Sequence, residues 1–300
     1  MEWWIIITLL AAVAQTLRST VQRRMKPIIG DNAASYIRFL YAVPFAWAWA
    51  FGYSSWSGFS LPQINPTFLL WVVLASLMQI LFTVLLIRLF SHRSFAAGTA
   101  FSKTEVLQAA IFEAVILGVI TNLMTTVAII IGVVAVMLLS LGKSSQSGIG
   151  LLRSMFTLGT AIGLASGAFL GLSTVLFKMA TDALGDGDVL MRAAMAGAVS
   201  ASFQMVAMGC WMFFSCRDEL VASFTSWRQS SQAGLFGAIA TACWFTAFAL
   251  YAVAPVRAVG QVELLITLGI SIGFFREQVS RREIIAMALL ALSIILVLLS

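Results

Sequence analysis

Ten stretches of roughly twenty mostly apolar residues follow one another along this chain with only short gaps, which leaves few folds open. They are 3–24, 32–53, 66–91, 94–118, 122–141, 154–180, 186–215, 229–252, 255–276 and 282–299. A helix of that length crosses the roughly 30 Å hydrocarbon layer of a bilayer. The chain is 61% hydrophobic and only 10% charged, against about a quarter charged in soluble domains. A water-soluble fold could not hide that much apolar surface. Strands of a membrane barrel would alternate apolar and polar side chains, whereas runs such as Ile284 to Leu299 are apolar without a break. The expected class is an all-α integral membrane protein of ten transmembrane helices.

The first stretch contains Ala12-Val13-Ala14, which has the form of a signal-peptidase site. The residues before it carry Glu2 and no Lys or Arg, the wrong charge for a signal sequence. The first span is therefore expected to be retained.

The sequence repeats itself. Ser19-Thr20-Val21 with Arg24-Met25 aligns with Ser173-Thr174-Val175 with Lys178-Met179, and at the same offset Arg38 falls on Arg192. Further on, Phe82-Thr83 matches Phe245-Thr246, and Lys103 through Leu107 matches Gln261 through Leu265. The matches keep their order, so two halves are read, 1–142 and 154–300, joined by a connecting loop over 143–153. With five spans each, an odd number, the second half starts on the opposite face of the membrane. The result is a pair of inverted five-helix repeats, an architecture that carries substrate sites near the midplane and alternates access to the two faces.

Basic residues set the orientation. One side collects Arg23, Arg24, Lys26, Arg88, Arg93, Lys143, Arg153, Arg217, Arg228, Arg276, Arg281 and Arg282, while the other has little beyond Lys178 and Arg257. The first side is expected to be cytoplasmic, with both termini on the non-cytoplasmic side of a cell inner (plasma) membrane. The net charge of +6 thus reports topology, and no nucleic-acid partner is expected. Trp3, Trp4, Trp56, Trp71 and Trp227 fall near span ends, as interfacial anchors do.

Two five-helix repeats, an Arg near the start of the second helix of each, and Glu263 followed by Phe275-Arg276-Glu277 resemble the EamA-type transporters of the drug/metabolite transporter superfamily. Val106 and Leu264 stand where that family often has proline, and Val119 where the second half has Glu277. The resemblance implies a ten-helix fold, a central cavity lined by the first four helices of each repeat, peripheral fifth helices, and export of metabolites or amino acids.

Charge inside a membrane is costly, so ionisable residues there face a cavity or a partner. Glu105 and Glu263 lie near the middle of their stretches and correspond by repeat. On a helix Glu105, Ala109 and Glu113 share a stripe, as do Glu263, Thr267 and Ser271. Each Glu either serves the cavity or locks helix packing. Moved between an apolar setting and water, such a carboxylate would take up a proton in one and release it in the other. Lys103 diverges from Glu105 by about 160° around the axis, so it needs a substrate carboxylate or an acid on another helix. Arg38, flanked by Tyr36 and Tyr41, either snorkels to the interface or lines the cavity; Gln79, Gln108 and Trp244 are further lining candidates. Gly159, Gly163, Gly167 and Gly171 recur every fourth residue and define a face for close helix packing.

Cys210, Cys216 and Cys243 have no CxxC spacing, and the sequence lacks HExxH, GxSxG, Walker and dinucleotide motifs. No metal, cofactor or enzymatic activity is expected. The sequence reads as a secondary transporter of small molecules through a central cavity, with protons as a candidate coupling ion and the lipid bilayer as its setting. A lipid flippase of the same fold and a non-catalytic assembly subunit are the alternatives.

Overall fold

A computed structural model describes residues 2–89, 104–141, 158–185, 187–266 and 281–299. The described elements are helices: α1 Trp3–Ile29, α2 Asp31–Leu40, α3 Ala42–Ser57, α4 Pro66–Leu89, α5 Glu105–Leu117, α6 Leu123–Leu141, α7 Leu158–Asp182, α8 Val189–Ser215, α9 Arg217–Thr225, α10 Trp227–Leu250, α11 Val253–Gly260 and α12 Arg281–Leu298. Among the described residues no strand occurs, and five helices are long and apolar enough to cross a membrane: Trp3–Ile29, Pro66–Leu85, Ala161–Asp182, Val189–Ser215 and Trp227–Leu250. The described structure is thus all-helical, with the long apolar helices of a membrane protein.

Three features depart from uninterrupted spans. The second stretch is two helices, α2 and α3, separated at Tyr41. Pro44 accounts for the break, because its ring removes an amide donor and collides with the carbonyl four residues earlier. The ninth stretch is interrupted at Gln261, where α11 ends and helix resumes over 262–266. The short helix α9 lies between two stretches, where its charged face gave no apolar signal. Trp3, Trp56 and Trp227 are exposed, as interfacial anchors are, but Trp4 is buried and stacks on Tyr251 with ring centroids 4.5 Å apart.

Two compact units form, each drawing on both halves of the sequence: Met1–Ile80 with Leu176–Tyr251, and Leu81–Val175 with Ala252–Ser300. In the first, α1 packs along α10, and α2 and α3 pack on α8 and α10. Its core joins Met25, Ile29, Ile37 and Phe39 to Met208 and Met212. The helix α9 is tied to the start of α2 by one carboxylate: Glu219 accepts the amides of Asn32 at 2.8 Å and Ala33 at 3.0 Å. Gly30 makes that possible, since its φ of +90° suits glycine and a Cβ there would stand 2.6 Å from Glu219 Oε2.

In the second unit α12 packs along α6, and α11 lies against α5, α6 and α12. Ser293 on α12 donates to the carbonyl of Ala128 on α6 at 2.7 Å. A Cβ on Gly132 would be 2.5 Å from Ser293 Oγ, so this crossing depends on a glycine.

Candidate functional site

Among the described residues, the buried charges Glu105, Glu113 and Arg257 lie together in the second unit, between α5 and α11. The turn at Thr104 starts α5, and Gln108 Nε2 donates back to Thr104 Oγ1 at 2.8 Å. This sets Glu105 in the first turn of the helix. An acid is favoured there, because the unbonded amides of a helix start carry partial positive charge. Glu105 Oε1 accepts from Arg257 Nη2 in a buried ion pair, with Glu105 2% and Arg257 9% exposed. Glu105 Oε2 accepts no hydrogen bond among the described residues.

Two turns further along α5, Glu113 is fully buried and accepts the amides of Val253 at 2.6 Å and Ala254 at 2.9 Å. Those N–H groups open α11 and have no partner within their own helix. Helix α5 thus grips α11 twice, by its first amides and by its guanidinium. Since Glu105 meets Arg257 and Glu113 meets Val253, the two helices run antiparallel. Helix α7 also meets α5 closely: a Cβ on Gly171 would stand 3.0 Å from the Glu105 carbonyl oxygen and 3.0 Å from the Ala109 amide nitrogen. Gly163 and Gly167 are buried as well. Gly159 lies in α7, but its surroundings fall outside the described residues.

A buried charge is tolerated only when paired and hydrogen-bonded. Arg257 sits in the apolar run Val253-Ala254-Pro255-Val256-Arg257-Ala258-Val259-Gly260, every member of which is buried. Counting it as a loop charge missed this. The signal that could have found it is the apolar residues on both sides, which exclude a solvated loop.

Glu263 follows the turn at Gln261 and is half-buried in the same unit. Gln108, half-buried, turns its amide nitrogen to Thr104, and its Oε1 has no hydrogen-bond partner among the described residues. Lys103 and Thr267 lie outside the described residues. Nearby, Val106, Gly132, Ala258, Gln261 and Ser293 line a cavity with room for about one water molecule.

The other candidates fall in the first unit, and three of them are held by hydrogen bonds. Tyr41 donates its hydroxyl to the Ser223 carbonyl at 2.8 Å, Gln79 Oε1 accepts from Gln204 at 2.6 Å, and Trp244 Nε1 donates to Gln15 Oε1 at 2.9 Å. Ser76 and Ser200 add a fourth polar contact, this one buried, at 3.1 Å. Arg38, near the end of α2, has its guanidinium carbon 4.4 Å from the centre of the Phe39 ring. A small cavity in this unit is lined largely by alanines of α3, α8 and α10, with Trp49 and Thr241 among them.

No family model matches the sequence, and no curated protein matches it. Among solved structures, one described only as a crystal structure of a protein is 14% identical, with a TM-score of 0.71 over 99% of this chain and 96% of its own. That likeness shows a shared fold.

Proposed function

We propose that the protein is a secondary transporter that exports small metabolites or amino acids by alternating access, with ten spans in two inverted repeats. The observation that carries this reading is the buried Glu105–Arg257 pair at the start of α5, with Glu113 holding the same helix α11. A membrane protein that needed only to stand in the bilayer would gain as much from apolar residues in those places, since a buried ion pair roughly breaks even against them. Its use lies in having two states. Closed, the pair is neutral as a whole and excludes water. When Glu105 takes up a proton from one face, Arg257 loses its counterion and the grip of α5 on α11 weakens. Loss of that proton to the other face closes the pair again. Coupling of this kind asks for one titrating carboxylate beside a fixed cation, and Arg supplies a cation that stays charged at every relevant pH.

The test is flux in proteoliposomes loaded with a metabolite mixture under an imposed pH gradient. Rates are normalised to folded protein. Glu105→Gln keeps size and hydrogen bonding but cannot titrate, so it is expected to abolish gradient-driven accumulation while sparing exchange of substrate for substrate. The double variant Glu105→Gln/Arg257→Met, which removes both charges, is expected to fold well and stay uncoupled. Gradient-driven accumulation at the wild-type rate in either variant would reduce the pair to a packing contact. Glu263→Gln in the same assay reports whether the second repeat shares the work.

A further inference from the structure

Helices α2 and α11 follow one plan. Each is short, Asp31–Leu40 and Val253–Gly260, and the first amides of each are taken by a carboxylate from another helix, Glu219 for α2 and Glu113 for α11. Each stops at a turn, Tyr41 or Gln261, and carries one arginine in its last turn, Arg38 or Arg257. In α11 the arginine is neutralised by Glu105. In α2 it is not.

Among the described residues Arg38 makes neither a hydrogen bond nor an ion pair; its guanidinium rests over Phe39, and the charge acting on it is the like charge of Arg18 on α1. Its counterpart in the sequence repeat, Arg192, has Asp182 at 4.0 Å. Both Arg18 and Arg38 are half-buried, and α10 brings their helices together at a glycine: a Cβ on Gly237 would stand 3.3 Å from the Arg38 carbonyl oxygen and 3.5 Å from Arg18 Cδ. Arg18 Cδ and the backbone of Arg38 thus meet at one glycine, and an anion placed beside these two like charges relieves the repulsion between them. The guanidinium fork matches a carboxylate or phosphate in two parallel hydrogen bonds.

We propose that Arg38, with Arg18 beside it, binds an anionic group of the transported molecule, a carboxylate or a phosphate. The ligand anion does for Arg38 what Glu105 does for Arg257. The inference rests on the transport reading and names its substrate class: organic or phosphorylated anions, and amino acids through their carboxylate. An anionic lipid headgroup offers the same chemistry, so the experiment must separate the two sources.

The full chain is placed in nanodiscs of neutral phosphatidylcholine, and its thermal midpoint is followed while inorganic phosphate or succinate replaces chloride at constant ionic strength. A saturable rise is expected with at least one of the two. Loss of a charge-assisted contact is expected to raise the concentration needed by about 10- to 100-fold in Arg38→Gln, with a smaller shift in Arg38→Lys, which keeps the charge but not the fork. Arg18→Gln gives the same reading should Arg38→Gln fail to fold. A rise seen only when phosphatidylglycerol is added to the discs would assign the pair to a headgroup and overturn the substrate reading. So would a midpoint that neither anion moves, or an unchanged response in both Gln variants. Binding is read at equilibrium with no gradient, so its failure is separable from failure of the transport reading, which is judged by flux.

Discussion

A double-mutant cycle on Glu105 and Arg257 measures directly what the pair does for the protein. Glu105 is 2% exposed and Arg257 9%, so removing either partner strands a charge away from water. The usual cost of that is about 3–5 kcal/mol. An ordinary hydrogen bond between membrane helices is worth only about 0.6 kcal/mol, so the two descriptions of this contact differ several-fold. Glu105→Gln and Arg257→Met are each expected to cost at least about 3 kcal/mol, because each leaves the other charge buried without its partner. The double variant leaves no charge and is expected to cost much less than the sum, so that most of the two single costs reappears as a coupling energy of at least about 3 kcal/mol. The assay is equilibrium unfolding in mixed micelles, followed by circular dichroism on all four proteins. Single variants within about 1 kcal/mol of wild type, together with additive effects, would refute the argument that these charges are buried and mutually dependent.

Gly171→Ala places a methyl group 3.0 Å from two backbone atoms of α5, which cannot swing aside as a side chain can, and is expected to cost about 1–3 kcal/mol in the same unfolding assay. Gly52→Ala, whose new Cβ meets nothing within 4 Å, is the control and should leave stability within about 0.5 kcal/mol. A reporter fused after Ser300 is expected to be active only on the non-cytoplasmic side; activity confined to the cytoplasm would reverse the orientation drawn from the basic residues.

Helix and membrane class were legible because they depend on local composition. Runs such as Leu123 to Leu141 or Val189 to Ser215 have no other stable state in a bilayer, where backbone polar groups must be satisfied within the segment. The break at Tyr41 was also written locally, in Pro44, although an apolar window averages over a single proline. The fourfold glycine spacing in α7 marked a surface of close approach, and at Gly171 the structure fills that surface with the backbone of α5.

Partnership was not legible. The sequence marks Glu105 as costly and therefore in need of a companion, yet nothing local names Arg257, which lies 152 residues away. The same holds for Glu113 with the start of α11 and for Glu219 with the start of α2, where a carboxylate from one helix completes another. Nor could spacing tell that Tyr41, Gln79 and Trp244 are held by hydrogen bonds while Arg38 has no acid beside it among the described residues. By itself the sequence determined which segments are apolar enough to enter a membrane and which side chains would be expensive there, because transfer from water to lipid is settled residue by residue. Only the tertiary structure decided which of those expensive groups neutralise one another, because a pairing depends on helices meeting at a particular height and angle, which no single segment encodes.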